Sequence, residues 1–312
     1  MVEKTRKRRK ILVTGSSGML GSALFRELSD KHDITGLDIM APVTAYSGKA
    51  RYIQSDIADR GNISHAIIGV KPDLIIHSAA WTNVDGCEQN PEKAKKVNAF
   101  GTANVADSAK ELDIPLIYIS TDFVFDGKKA CPYKEEDTPR PLSVYGKYKL
   151  EGEESVKALK LYAILRTSWM YGANGANFVD IIIEAARKNK RINVVDDQVG
   201  SPTYAKDVAK AISKLLSKYF ADTPGEGVKN EVKEIYHVSN SGAVSRFGYA
   251  KEIISLANIN NIEIKPVKSS EFKRPAIRPS YSALASEKFE KFTGYKLRPW
   301  QEALKEYING KR

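Results

Sequence analysis

The sequence predicts an α/β fold built on a doubly wound parallel sheet, and two observations carry this prediction. Five or six short apolar runs alternate with helical patterns from Ile11 to about residue 170, as expected for a parallel sheet with helices on both faces. The first run passes directly into a glycine-rich turn and then a helix. This order is typical of a dinucleotide-binding sheet of the Rossmann type.

We expect the chain to divide into three parts. Residues 1–10 form a basic arm that we predict to be disordered, and residues 11–170 form the dinucleotide-binding domain. After residue 170 the alternation loosens. We interpret residues 171–312 as mainly a smaller C-terminal substrate-binding lobe, from which some strands and helices return to the main sheet.

Composition narrows the class of protein. Of the 312 residues 42% are hydrophobic and 28% are charged, an ordinary balance for a globular protein. No apolar run approaches the ~20 residues that span a bilayer, and no signal peptide is visible, so we expect a cytoplasmic protein without a membrane partner. The two cysteines, Cys87 and Cys131, have no metal-ligand spacing. We therefore expect neither a disulfide framework nor a metal site, and the sequence leaves a homodimer open.

The net charge of +11 has two interpretations. The first ten residues carry six basic side chains and one Glu, and such a balance can indicate nucleic-acid binding. We favour a Lys-rich surface with a solvated arm, because no nucleic-acid-binding motif accompanies the charge. A basic cleft would also suit a small anionic substrate.

The glycine turn predicts a phosphate-binding loop. It follows the apolar run Ile11–Thr14 and precedes a helical pattern that ends at about Leu28. Gly15 permits a tight turn, Gly18 lets the backbone approach a pyrophosphate at the helix N-terminus, and Gly21 allows the helix to pack closely on the strand.

Asp38 closes the predicted second strand, Ile34–Leu37, and predicts the cofactor preference. A carboxylate there can accept hydrogen bonds from the adenosine ribose and would repel a 2′-phosphate. Ile39-Met40 supply no Arg for such a phosphate, so the sequence favours NADH over NADPH, although Lys49 or Arg51 could approach.

The next segments predict the rest of the cofactor crevice. Arg51–Gln54 is a predicted third strand with Asp56-Ile57 at its carboxyl edge, where an adenine would lie. Residues 59–69 suit a crossover helix, and residues 73–77 suit a fourth strand that ends in the small residues 78–80, which leave room for a cofactor. We interpret His77 as a packed strand histidine.

Residues 81–112 continue the alternation. We predict a polar loop over residues 81–89, then a helix from Pro91 to about Leu112. Asn98 lies inside this helix although Asn is a poor helix former. It either holds a water or backbone group near the catalytic residues or is a plain buried amide.

The candidate catalytic residues follow the predicted fifth strand, residues 115–120. Thr121 and Asp122 lie at its end, and a helix with Ser143 as a plausible N-cap carries Tyr145 and Lys149 one turn apart on one face. A nearby ammonium would lower the pKa of the phenol from its usual value near ~10, which would make Tyr145 a usable general acid. A second pair at this spacing, Tyr307 and Lys311, we interpret as surface.

Further elements complete the prediction. A sixth strand covers residues 161–166, a helix covers residues 178–188, a strand covers residues 192–195, and an amphipathic helix covers residues 204–219.

The motifs resemble those of the extended short-chain dehydrogenase/reductases, and within them those of the dTDP-4-dehydrorhamnose reductases. The shared superfamily motifs are Thr14-Gly15-x-x-Gly18-x-x-Gly21, Thr121 and Tyr145-x-x-x-Lys149. The narrower resemblance lies in residues 120–127, 166–171, 197–203 and 278–284. Related sugar 4,6-dehydratases follow the Thr-Asp pair with a Glu that acts in elimination, whereas Phe123 stands there in this chain.

This resemblance implies reduction of the C4 ketone of dTDP-4-dehydro-L-rhamnose by NADH or NADPH. Tyr145 would donate a proton, Thr121 would orient the ketone, and Lys149 would hold the nicotinamide ribose. Asp122 and Trp169 would touch the sugar. The implied cofactor contacts are Gly15, Gly18, Met19, Leu20 and Gly21 at the pyrophosphate turn, Asp38, Asp56 and Ile57 at the adenosine, and Ala79, Ala80, Trp81, Ile119, Tyr145 and Lys149 at the nicotinamide side.

Two other functions stay open at this point. Proteins of this fold also serve as a non-catalytic, cofactor-binding regulatory subunit of methionine adenosyltransferase. The sequence could also belong to a reductase or epimerase that acts on another nucleotide sugar. Trp81 departs from the smaller or polar residue of many relatives.

Overall fold

The computed structural model describes residues 8–41, 51–219 and 232–311. The amino-terminal half contains the strands and helices β1 Lys10–Thr14, α1 Met19–Leu28, β2 Asp33–Asp38, β3 Arg51–Gln54, α2 Arg60–Val70, β4 Leu74–His77, α3 Val84–Gln89, α4 Pro91–Ala94, a π-helical turn Lys95–Gly101, α5 Thr102–Glu111, β5 Leu116–Thr121, a 3₁₀ turn Asp122–Val124, α6 Val144–Lys157 and β6 Tyr162–Thr167.

The carboxyl-terminal half begins after residue 167. Its elements are β7 Met170–Tyr171, α7 Phe178–Lys188, β8 Arg191–Val195, β9 Val199–Gly200, β10 Thr203–Tyr204, α8 Ala205–Tyr219, β11 Lys233–His237, β12 Val244–Ser245, α9 Arg246–Leu256, β13 Glu263–Val267, a 3₁₀ turn Ser269–Glu271, α10 Glu287–Thr293 and α11 Trp300–Asn309.

The main sheet confirms the predicted fold class. In the described part of the chain its strands lie in the order β3, β2, β1, β4, β5, β6, β11, and each neighbouring pair is parallel. The order changes direction between β1 and β4. At such a switch point the loops that follow the two strands diverge and open a crevice at the carboxyl edge of the sheet.

Helices cover both faces of this sheet. On one face α1 and α8 pack side by side over a buried cluster that includes Leu24 and Ile212. On the other face α2, α5 and α6 cover a second cluster that includes Ile67, Val105 and Val156. Apolar burial of this kind contributes roughly 25 cal/mol per Å² of surface removed from water, and it holds the helices against the sheet.

Two predicted segments of this half differ from the structure. The predicted loop over residues 81–89 contains α3, which Asn83 caps by accepting the Gly86 N–H at 2.9 Å. The predicted helix from Pro91 is continuous, but it passes through the π-helical turn that carries Asn98. Such turns insert an extra residue and often mark functional sites.

The predicted basic arm, residues 1–10, includes three residues that the structure shows to be ordered, residues 8–10. Residues 1–7 lie outside the described residues, whereas Lys10 begins β1 and its N–H donates to Asp73 at 2.8 Å. Arg8 donates to Asp33 at 2.8 Å and to carbonyls at the end of α1. A guanidinium is favoured there because the last carbonyls of a helix lack partners. The prediction of disorder is therefore wrong for residues 8–10.

The carboxyl-terminal half contributes both to the main sheet and to a separate cluster. β11 pairs with β6 at the edge of the sheet. β8 pairs with β13, and α7, α9 and α11 pack around a third buried cluster. No helix in the described ranges is long and apolar enough to cross a membrane.

Tyr307 corrects one prediction. The sequence predicts a surface position for it beside Lys311, but its ring is buried among the aromatic residues of this third cluster. Its hydroxyl donates to the Gly172 carbonyl at 3.0 Å and accepts from Asn177 at 3.1 Å, while Lys311 pairs with Asp180. Tyr307 and Lys311 both contact Asp180 and so connect the end of the chain to α7. Neither residue lines the cavity that holds Tyr145.

A buried ion pair joins α6 to the sheet. The Arg166 guanidinium donates to both carboxylate oxygens of Glu153, at 2.9 and 2.7 Å, and the two side chains are 1% and 0% exposed. Ser120 donates to the same carboxylate at 2.5 Å. A bidentate pair of this kind fixes the rotation of the helix about its axis.

We predict that Glu153→Ala lowers the free energy of unfolding by about 3–5 kcal/mol, because it leaves the Arg166 charge buried without a partner. Urea denaturation measures the change. Glu184→Ala, which removes an exposed pair with Lys188, is the control and should cost less than about 1 kcal/mol. Equal losses in the two variants would contradict the structural role of the buried pair.

Candidate active site

One cavity at the carboxyl edge of the sheet gathers every site residue predicted from the sequence. It has a volume of about 1750 Å³ and lies between the glycine turn, the ends of β4 and β5, and the carboxyl-terminal half. Its lining includes Gly15, Gly18, Met19, Leu20, Gly21, Asp38, Asp56, Ile57, Ala79, Ala80, Trp81, Ile119, Thr121, Asp122, Tyr145, Lys149 and Trp169. Their roles toward ligands stay predictions.

The glycine turn has the shape that a dinucleotide requires. Gly15 adopts a φ of +70°, and a Cβ on it would lie 2.6 Å from the Ala79 nitrogen. A Cβ on Gly21 would lie 2.2 Å from the Gly15 carbonyl oxygen. Gly18 is the N-cap of α1 and supplies no side-chain acceptor. The first N–H groups of α1 can therefore bind a pyrophosphate.

Asp38 has a structural task that the sequence did not indicate. Its carboxylate accepts the Ser17 N–H at 3.0 Å and the Met40 N–H at 3.1 Å, which ties the glycine turn to the end of β2. In the register of β2 and β3, Arg51 lies opposite Thr35, three residues before Asp38, and Gln54 is the residue opposite Asp38. Lys49 lies outside the described residues.

Asn98 holds a backbone segment of the cavity wall. Its Oδ1 accepts the Trp81 N–H at 2.8 Å, and its Nδ2 donates to the Trp81 carbonyl at 3.0 Å. The Lys93 ammonium lies 4.6 Å from the centre of the Trp81 ring. Of the two interpretations left open by the sequence, the structure selects the backbone contact.

His77 is the packed strand histidine that the sequence predicted. It is fully buried, Nδ1 is 2.6 Å from the Thr14 hydroxyl, and Nε2 is 3.1 Å from the Thr102 hydroxyl. Burial lowers the pKa of His77 to about 3, with a smaller contribution from the charge of Lys149. The ring is therefore neutral and acts in packing.

Tyr145 and Lys149 face the end of β5 because α6 docks there closely. Ser143 caps α6 by accepting the Gly146 N–H at 3.2 Å, as expected. A Cβ on Gly146 would lie 2.2 Å from the Phe123 carbonyl oxygen. Phe123 meets Tyr145 edge to face at 5.7 Å. The predicted pair thus shares one helix face inside the cavity.

The pKa of Tyr145 differs from the prediction. Burial raises it, and the charges of Asp122 and Cys87 add to that effect, while a hydrogen bond with Thr121 lowers it. Lys149 is not among the groups that shift it: the ammonium is itself buried and donates to the Ile119 carbonyl at 2.7 Å. Proximity on a helix face does not ensure coupling when the cation bonds elsewhere.

Asp122 is a buried carboxyl beside these groups. Burial raises the pKa of Asp122 to about 6, against the lowering effects of the Ser282 hydroxyl, the Thr121 hydroxyl and the charge of Arg246. The Thr121 hydroxyl donates to it at 3.1 Å. Sequence reasoning missed Ser282 as a site residue, although it lies in one of the stretches that carried the resemblance.

Trp169 is held in an unusual backbone conformation. Its φ is +43°, and a Cβ on Gly200 would lie 2.4 Å from the indole Cε2. On the ring, Arg246 Cζ lies 3.5 Å from the centroid. Sequence reasoning missed Arg246, because a basic residue at the start of a helix carries no signal of its own.

The burial of Lys149 should make the stability of the protein depend on pH. Burial lowers the pKa of Lys149 from 10.5 to about 7, and Glu153 opposes the shift. Between these two pH values the unfolded chain binds the proton and the folded chain does not, so stability rises with pH through this window. Below pH 7 the folded chain carries the full cost of the buried ammonium.

Lys149→Met should therefore raise the free energy of unfolding most at about pH 6 and least at about pH 10, as measured by urea denaturation. The exposed Lys147 on the same helix provides the control. Lys147→Met should give a small difference that does not vary with pH. A pH-independent effect of Lys149→Met would contradict the shifted pKa.

Comparison with known proteins gives a consistent family. The sequence model of the family described as "RmlD substrate binding domain" matches residues 9–312. The spore coat polysaccharide biosynthesis protein SpsK of Bacillus subtilis is 37% identical, with 96% of both chains covered. A dTDP-4-dehydrorhamnose reductase of Sinorhizobium fredii is 34% identical, again with 96% of both chains covered.

Solved structures agree. The dTDP-4-dehydrorhamnose reductase of Bacillus anthracis, solved in complex with NADP, superimposes with a TM-score of 0.85 at 34% identity, covering 97% of this chain and 100% of that chain. A dTDP-glucose 4,6-dehydratase of Streptomyces venezuelae, DesIV, has a TM-score of 0.81 at 19% identity and supports the fold alone. The resemblance seen in the motifs is confirmed: this chain belongs to the RmlD substrate binding domain family, together with the dTDP-4-dehydrorhamnose reductases.

Proposed function

We propose that this chain reduces the C4 ketone of dTDP-4-dehydro-L-rhamnose to dTDP-L-rhamnose, in the biosynthesis of dTDP-rhamnose. The observation that carries the proposal is the convergence of Thr121, Tyr145 and Lys149 on one cavity with the glycine turn. The full-length similarity to named reductases supports the same reaction. The cofactor is NADH or NADPH.

The cavity fits the dinucleotide. Gly15 and Gly21 lie too close to neighbouring backbone atoms for any side chain at these two positions. The N-terminus of α1 therefore faces the cavity beside a turn that a pyrophosphate can approach closely. Bound NADH or NADPH supplies hydride. The Lys149 ammonium, now on the Ile119 carbonyl, would hold the nicotinamide ribose.

Tyr145 and Thr121 perform the proton chemistry in this proposal. The Tyr145 hydroxyl donates a proton to the C4 oxygen, and the Thr121 hydroxyl donates a hydrogen bond to the same oxygen. The raised pKa of Tyr145 keeps the phenol protonated at neutral pH, but it also makes the phenol a weaker acid than the sequence predicted. Phe123 occupies the position after Asp122 and has no proton to move, which favours reduction over elimination.

The decisive experiment mixes the protein with enzymatically made dTDP-4-dehydro-L-rhamnose and each reduced nicotinamide. Loss of cofactor absorbance together with dTDP-L-rhamnose as the product supports the proposal. Absence of turnover with any nucleotide ketosugar, together with a stable partner protein, would instead support a non-catalytic regulatory subunit. Turnover of a different nucleotide ketosugar, without turnover of dTDP-4-dehydro-L-rhamnose, would show that the proposed substrate is wrong while the proposed type of reaction is right.

Tyr145→Phe should reduce turnover by about 10²–10⁴-fold, because the general acid is lost. Binding of the oxidised cofactor, measured by calorimetry, should stay near the parental value. Tyr148→Phe, three residues along the same helix and outside the cavity lining, is the matched control with near-normal turnover. A Tyr145→Phe variant with near-normal turnover would remove Tyr145 from the acid role.

We also propose a preference for NADH, supported by the Asp38 carboxylate and by the strand register, which places Gln54 rather than Arg51 opposite Asp38. Asp38→Ala should narrow the ratio of kcat/KM for NADH over NADPH, because it removes the repulsion of a 2′-phosphate. Asp38→Asn removes the charge but keeps one side-chain oxygen that can accept a backbone N–H of the glycine turn. It should narrow the ratio of kcat/KM values to a similar extent. A parent that already prefers NADPH strongly would contradict the argument.

A further inference from the structure

Arg246 is a cavity residue that the reaction proposed above does not use. It begins α9, and its guanidinium lies 3.5 Å from the centre of the Trp169 ring and 4.8 Å from that of Phe178. Within the ranges that the structure describes, no carboxylate lies at salt-bridge distance from it, and its side chain makes no hydrogen bond to protein. Its five N–H donors are thus available to a ligand.

Three other partly or fully buried arginines in the described part of the chain are paired with carboxylates. Arg166 is held by Glu153, Arg298 by Asp207 at 2.9 and 3.0 Å, and Arg278 by Asp85 at 3.0 and 2.7 Å. Pairing is the usual way to offset the loss of hydration on burial. Arg246 has no such carboxylate partner, and a bound anion could take that place.

The surroundings of Arg246 carry an excess of positive charge. Arg274 and Arg278 lie near enough to lower its pKa, and Asp122 and Tyr249 raise it. Burial is the largest effect and brings the pKa of Arg246 to about 10, so the group is charged at neutral pH. Asp85 is occupied by Arg278, so the carboxylate of Asp122 faces both Arg246 and the nearby Arg274. One carboxylate against two guanidinium groups leaves a surplus of positive charge that favours a bound anion.

We propose that Arg246 binds the diphosphate of the nucleotide-sugar substrate while its flat face holds Trp169 against Gly200. The proposal rests on the proposed function and deepens it by assigning the phosphate-binding group. A planar guanidinium suits both tasks, since it stacks on an aromatic ring and donates paired hydrogen bonds from its edge to phosphate oxygens.

The same contact couples the diphosphate to the sugar wall. Gly200 and Arg246 are brought to Trp169 by the antiparallel pair β9 and β12, whose register joins Val199 to Ser245. The Arg246 N–H donates to the Gln198 carbonyl at 3.0 Å. An anion that fixes Arg246 thereby also fixes the indole that is expected to touch the sugar.

The test compares dTDP with thymidine by calorimetry, because their affinity ratio isolates the diphosphate and needs no turnover. Arg246→Gln should lower this ratio by about 10- to 100-fold while thymidine binding stays near the parental value. Arg246→Lys keeps the charge without the planar fork, so its ratio should fall between those of the parent and Arg246→Gln.

Arg191→Gln is the matched control. Arg191 lines the same cavity but lies 3.6 Å from Glu263, and its loss should leave the ratio unchanged. An unchanged ratio in Arg246→Gln, an equal fall in Arg191→Gln, or a parent that binds thymidine as tightly as dTDP would overturn the proposal. If Arg246→Gln does not fold, an Arg246→Lys ratio equal to the parental ratio overturns it, and a lowered one supports it.

The outcome is separable from that of the reduction assay. If the protein does not reduce the ketosugar but its dTDP-to-thymidine affinity ratio depends on Arg246, the diphosphate site is supported and the proposed reaction is not. If the protein reduces the ketosugar and Arg246→Gln leaves the ratio unchanged, the reaction is supported and the role of Arg246 is not.

Discussion

The docking of α6 onto the carboxyl end of β5 is the constraint on which the site depends. Gly146 and Gly152 lie on the docking face, where added Cβ atoms would come within 2.2 Å of the Phe123 carbonyl oxygen and 2.6 Å of the Tyr118 hydroxyl. Lys149 then reaches the Ile119 carbonyl, and Glu153 reaches β6 through Arg166. These contacts set the helix rotation, and the rotation brings Tyr145 into the cavity beside Thr121.

The carboxyl-terminal half completes the site by reaching back to the sheet. Arg278 binds Asp85 of α3, and Ser282 bonds to the carboxyl of Asp122. Trp169 and Arg246, which stack on each other, also line the cavity. A site formed between two parts of one chain in this way can exclude water from the reacting atoms when ligands bind.

The local features were the predictable part. The glycine turn, the parallel strands and the Tyr145/Lys149 face are short patterns whose geometry follows from spacing alone, and each is found where expected. The dinucleotide-binding sheet could therefore be predicted nearly residue by residue. The resemblance of particular stretches then supplied the family.

What the sequence did not predict depends on contacts between distant segments. Tyr307 is buried because it packs against Tyr171 and Tyr204, more than 100 residues earlier in the chain. The pKa of Tyr145 follows its burial because Lys149 bonds to Ile119 on another element. Arg246 gains its place only when β9 and β12 pair. Such partners and burial emerge from tertiary packing and leave no periodic signal in the chain.

A crystal structure of the chain with oxidised cofactor and dTDP-L-rhamnose bound together would show directly whether the three side chains surround the reacting carbon. We expect the Tyr145 and Thr121 hydroxyls to lie within about 2.6–3.2 Å of the C4 oxygen of the sugar, with the nicotinamide ring against the same carbon. A sugar bound with C4 facing away from Tyr145, or a nicotinamide outside the crevice beside the glycine turn, would contradict it.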